Sequence, residues 1–102
     1  MTVFRDPADH AELASRVERA TRPWLASLDA AGAAEVTHLA AHGEAEMALE
    51  SFLLSAMELS LPFTAEQKRE LLALCLACDL QRDAVLSADF WQRASVFLGD
   101  HG

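Results

Sequence analysis

Three groups of residues in this chain have types and spacings that chemistry could use. They are Cys75-Leu76-Ala77-Cys78, the pair His38-x-x-x-His42, and a run of carboxylates through the middle of the sequence. A C-x-x-C is reactive where it opens a helix, because the helix dipole there lowers the thiol pKa. Here the motif falls near the end of a leucine-rich segment, so both sulfurs are expected to act as small core hydrophobes. His38 and His42 stand one helical turn apart, which is half of a zinc site. The two cysteines would complete a Cys2His2 set, but in the reverse of the usual order and on two separate helices. The cysteines should face the core while the histidines share an exposed side with Glu35. Zinc is therefore not expected, and the histidines read as surface residues at the edge of an interface.

The carboxylates do not suggest catalysis. No pair is marked out by an apolar pocket of its own, and a helix-surface Glu is usually only solvated. No glycine-rich phosphate loop, nucleophile elbow or metal triad is present, and the chain has four glycines and no tyrosine. The expectation is a protein that works by binding, with no catalytic residue and no cofactor.

Charge narrows the choice of partner. The net charge of −8 argues against nucleic acid, whose phosphates demand a basic surface. Up to Arg22 four arginines balance four acids, and from Lys68 onward four basic residues face five acids. Between Pro23 and Gln67 there are seven acids (Asp29, Glu35, Glu44, Glu46, Glu50, Glu58 and Glu66) and no Lys or Arg. A bland solvated surface mixes signs. A one-sign stretch points either to a basic partner or to a face kept acidic for solubility. No run of about 18 uncharged apolar residues is present to span a membrane. The first residues also lack the basic start and apolar stretch of an export signal. With two cysteines expected to stay reduced, the expected location is cytoplasmic.

The elements that must position these residues are helical. At 102 residues and 52% hydrophobic, the chain is long enough for one domain, residues 1–102, with one sizeable core. Asp6-Pro7 is a helix start, and Leu13, Val17, Ala20 and Trp24 recur on one helical face. Pro23 either ends that helix or opens the next with Thr21 as cap. Asp29 caps a second helix to about Ala41, with Val36, Leu39 and Ala40 inward and Gly43 as the stop. A third helix runs from about Glu44 to Leu59 and is broken by Leu61-Pro62-Phe63. Thr64 and Gln67 form a capping box for a fourth helix to about Cys78, with Leu71, Leu74, Cys75 and Cys78 as its apolar stripe. Ser87 is the expected cap of a last helix carrying Phe90, Trp91, Val96 and Phe97. The fold class is all-α, a compact bundle of about five short helices.

On a wheel of 100° per residue, the third helix gathers Ala45, Ala48, Leu49, Phe52, Leu53, Ala56 and Leu59 on one side as a core stripe. Met47, Leu54 and Met57 fall opposite, among Glu46, Glu50 and Glu58. Two readings stand. Either this is a central helix packed on both sides with its Glu side chains reaching out, or it presents adaptable Met contacts inside a charged ring to a basic partner.

The stretch 36–78, roughly 43 of the 102 residues, resembles the small MafI-like immunity proteins of bacterial polymorphic toxin systems. The resemblance lies in Leu39-Ala40-Ala41-His42-Gly43-Glu44, in Ala48-Leu49-Glu50, in Leu61-Pro62-Phe63-Thr64 and in Glu70-Leu71-Leu72-Ala73-Leu74. Those proteins carry a His/Asn/Gly-Glu corner after a helix, a Pro-containing break and a Leu-rich fourth helix. The N-terminal third and the last helix add nothing to the match, and the helix after Asp29 is poorer in large apolar residues than the family's pattern. The resemblance implies an antidote that binds a toxin domain, often a nuclease, by stoichiometric occlusion. The partner-binding residues would then be His42, Glu44, Glu46, Met47, Glu50, Leu54, Met57 and Glu58. Two other binding roles fit the composition as well: an acidic adaptor holding an amphipathic helix of a non-toxin partner, and a homo-oligomer pairing its Met/Leu face.

Overall fold

The computed structural model describes residues 7–99, so Asp6, the expected cap of the first helix, lies outside the described residues. α1 spans Pro7–Thr21 and runs into a 3-10 turn, Arg22–Ser27. α2 (Ala30–Ala41), α3 (Ala45–Leu59), α4 (Ala65–Ala77), α5 (Leu80–Asp83) and α6 (Phe90–Phe97) follow, and no strand occurs among the described residues. This is an all-α bundle. Five helices have eight or more residues; the short α5 and the 3-10 turn are additions that the sequence pattern does not announce. No described helix is long and apolar enough to cross a membrane.

The turns between helices follow from a few residues. Pro23 has no N–H to continue the α-helical ladder, so α1 stops at Thr21 and Pro23 lies at the start of the 3-10 turn. Thr21 does not cap that turn: it is buried, and its hydroxyl donates back to the Val17 carbonyl at 2.9 Å. Asp29 caps α2 as expected, accepting from the Gly32 N–H at 2.7 Å. Gly43, at φ +75°, turns the chain out of α2. The Glu44 N–H reaches back to the Leu39 carbonyl and the Gly43 N–H to that of Ala40, the paired bonds of a Schellman stop. α3 ends with the same pair of bonds, from Leu61 to Ala56 and from Ser60 to Met57, with Ser60 left-handed at φ 52°. Pro62 then sits in a tight turn closed by the Phe63 N–H donating to the Leu61 carbonyl at 2.9 Å, and Thr64 opens the next helix.

Thr64 and Gln67 make both bonds of the capping box, 3.1 Å from the Gln67 N–H to the Thr64 hydroxyl and 2.8 Å from the Thr64 N–H to the Gln67 amide oxygen. Thr64→Ala should therefore cost about 1 kcal/mol, read as a lower midpoint in urea at unchanged slope. A midpoint equal to that of the unmodified chain would show that α4 is held by packing alone.

α3 sits at the centre, packed by α1, α2, α4 and α6. Ala45, Ala48, Leu49, Phe52, Leu53 and Ala56 are buried, as the wheel predicts, but Leu59 is 49% exposed. Leu59 is the last helical residue before the turn at Ser60. α2 approaches α3 closely because its residues are small. A Cβ on Gly32 would lie 2.9 Å from the Asp29 carboxylate and 3.1 Å from the Ser55 hydroxyl of α3. This explains why an Ala-rich helix with one fully buried large residue, Val36, still docks. Ala40, expected inward, is exposed. At the break before α4, Phe63 turns inward and meets Trp24 edge-on at 4.7 Å, Phe52 at 6.1 Å and Phe97 at 5.9 Å. Those contacts join the 3-10 turn, α3 and α6.

Candidate partner-binding surface

The carboxylate of Glu50 is the most unusual group in the molecule. It is fully buried in the middle of α3. One oxygen accepts the Val85 N–H at 2.9 Å; the other accepts those of Leu86 at 2.9 Å and Ser87 at 3.1 Å. Three successive backbone N–H groups aimed at one anion form a concavity of partial positive charge. This anion is compensated by peptide dipoles, since no Lys or Arg among the described residues pairs with it. The wheel places Glu50 correctly on the side opposite the main core stripe, but that side is not open to solvent there. The segment between α5 and α6 crosses it and is fastened to it. Glu50 is therefore corrected from a surface contact to an internal clasp.

The same segment carries a second correction. α6 begins at Phe90 with Asp89 at the N-cap position, so Ser87 lies two residues too early to cap it; its N–H donates to Glu50 and its hydroxyl to Asp89, which makes no side-chain cap bond. That hydrogen bond, helped by nearby Arg93, holds the Asp89 carboxyl below its ordinary pKa.

Around the clasp, the remaining candidate residues divide by exposure. His42, Glu44 and Glu58 are exposed, while Glu46, Met47, Leu54 and Met57 are half-buried. Leu54 and Met57 pack against the core with part of their surface. The second side of α3 is thus covered at Glu50 and partly open at Glu46, Met47, Leu54 and Met57, with Glu58 exposed. The clasp adds residues that sequence reasoning missed. Val85 and Leu86, whose N–H groups point inward to Glu50, are 68% and 39% exposed. Met47 lies three residues before Glu50 and Leu54 four after it, on the same side of α3. Glu50 thereby ties the segment that carries the exposed Val85 and Leu86 to the side of α3 that also carries Met47 and Leu54. No local signal marks Val85-Leu86 as surface, because a Val-Leu pair between helices reads as core.

The other chemistry-bearing groups stay apart. Cys75 and Cys78 are buried and form no disulfide, and burial, with the neighbouring Cys78, pushes the Cys75 pKa up to about 12. Cys75 is therefore a protonated core residue at neutral pH. His38 and His42 are exposed with Glu35 on α2, so the four Cys2His2 residues do not converge. Among the described residues no group of three or more His, Cys, Asp or Glu side chains could hold a metal ion. A cavity of about 300 Å³ lies between the end of α1, the 3-10 turn and α2, walled by Val17, Leu25, Val36 and Ala40. Its charged lining residues are Glu18 and Arg22, which are paired with each other. Compared with protein-family models, curated proteins and solved structures, the chain matches nothing. Its function has to be argued from its own residues.

Proposed function

We propose that this protein is an immunity protein, binding a basic toxin domain stoichiometrically and blocking it without turnover. The observation that carries the reading is the acid-only stretch from Pro23 to Gln67. It places Glu44, Glu46 and Glu58 around the partly open Met47, Leu54 and Met57. Apolar contacts inside an acidic margin suit a partner whose own site is basic, as a nuclease groove must be to hold phosphate. The acids steer the encounter and speed association, and the methionines adapt to the surface they meet.

The test is a pull-down with tagged protein from its native host at low and high salt, followed by association kinetics with the retained partner. The expected result is one basic domain, released more readily by salt. The chain carrying Glu46→Lys and Glu58→Lys should associate at least about tenfold more slowly. Glu50 is left intact, because a lysine in its place would be buried facing three N–H donors. Unchanged association in the double variant would remove this surface from the assignment, and a partner with no basic site would remove the toxin reading.

A further inference from the structure

We propose that His38 and His42 form a two-imidazole binding site for a divalent transition-metal ion of the nickel(II) or copper(II) class on the exposed side of α2. Nothing in the partner-binding reading requires this site, and it stands on separate observations.

The first observation is geometric. The two rings have centroids 4.3 Å apart and planes inclined at 51°. Two imidazole nitrogens bound at adjacent, right-angled positions on one ion, each ~2.0–2.1 Å from it, bring their ring centroids to about 4.5 Å. The rings are thus close enough for one ion to reach a nitrogen of each after small side-chain rotations. Helical spacing holds them there, because residues i and i+4 lie one above the other on a face. A tetrahedral ion opens the angle and puts the centroids roughly 5 Å apart, within reach of the same rotations, so the choice of ion rests on the affinity order of imidazole sites.

The second observation is availability. Both side chains are exposed, and neither makes a hydrogen bond or ion pair with a described residue. Small rotations about their side-chain bonds can aim one nitrogen of each at the ion, and water fills the remaining positions.

The third is charge. His38 and His42 lie within the stretch that has no Lys or Arg. Glu35 is one turn before His38 and exposed with it, and Glu44 follows just beyond His42. A dication approaching this face meets those carboxylates, and Arg22, the cation across the cavity from Thr37, Ala40 and Ala41, is paired with Glu18. Imidazole is a preferred ligand for copper and nickel, and affinity at such a site rises from nickel(II) to copper(II) and falls at zinc(II).

The experiment is calorimetric titration of the full-length, reduced chain with nickel(II) chloride at neutral pH, with circular dichroism on every variant to confirm the fold. The unmodified chain should take up one equivalent. His38→Gln and His42→Gln should each lower the affinity at least about tenfold, because each leaves a single imidazole. The double variant should bind no ion at this site, and zinc(II) should bind more weakly than copper(II). His10 and His101 are the other two histidines, and a chain with both replaced by Gln should bind as the unmodified chain does. Uptake by the folded His38→Gln/His42→Gln chain equal to that of the unmodified chain would overturn the proposal. So would a loss of binding that follows His10 or His101 instead.

Discussion

Glu50→Ala should destabilise the fold by about 2–4 kcal/mol and release the segment from Ala84 to Asp89. Three backbone N–H groups lose their only described acceptor, and each buried donor left unsatisfied costs about 1–3 kcal/mol. The full sum is not reached, because Val85 and Leu86 are near enough to the surface for a detached segment to recover water. Glu50→Gln separates charge from shape. Its amide oxygen can still accept, but its NH2 group then faces N–H donors on the other side, so most of the loss remains. Hydrogen exchange measured by NMR is the direct readout. In the unmodified chain the amides of residues 85–87 should be protected although the Val85 and Leu86 side chains are exposed. In either variant they should exchange at least about tenfold faster, and faster than amides of α3. Equal protection in Glu50→Gln would mean that the segment is held by packing and that the carboxylate is incidental.

Phe52→Ala should cost about 3–5 kcal/mol, the range for removing a fully buried aromatic ring. Phe52 has no exposed surface, sits on the central helix and lies 6.1 Å from Phe63, which in turn meets Trp24 and Phe97. A domain of this size is stable by about 5–15 kcal/mol in total, so the variant keeps little reserve. Each kcal/mol moves Tm by about 4–8 °C, and thermal melting by circular dichroism should show a fall of more than 10 °C by that conversion. Leu59→Ala, in the same helix but half exposed, is the control and should change stability by about 1 kcal/mol or less. Comparable losses at the two positions would contradict the placement of α3 at the centre.

Both predictions concern one helix and differ in how far the sequence announces them. The burial of Phe52 follows from its place on an apolar stripe with Ala48, Leu49 and Ala56. The burial of Glu50 does not. Helical periodicity reports which side a residue is on, and it gives Glu50 the side of Met47 and Leu54. It cannot report that a segment 35 residues later folds across that side and supplies three N–H donors. A carboxylate on such a face reads as solvated until its partners are seen, and those partners are peptide groups, which leave no mark in the sequence. Ser87 is misread for a related reason: a serine before a helix resembles a cap, but the segment bound to Glu50 stays non-helical through Asp89 and α6 begins only at Phe90.

What the sequence by itself determined is the local punctuation and the all-α class. Asp29, Gly43, Pro62 and the Thr64–Gln67 box each act within a few residues, so their chemistry is readable in order along the chain. The clustering of acids between Pro23 and Gln67 and the pairing of His38 with His42 are legible too, because both are matters of spacing along one helix or segment. Tertiary structure alone decided that the second side of α3 is covered at Glu50, that Glu50 is an internal clasp, and that the side chains of Val85 and Leu86 are left exposed. It also decided that Pro23 opens a 3-10 turn and that Phe63 joins that turn to α3 and α6. These outcomes depend on which surfaces meet across the chain, and burial is a property of the neighbours a residue acquires rather than of the residue itself.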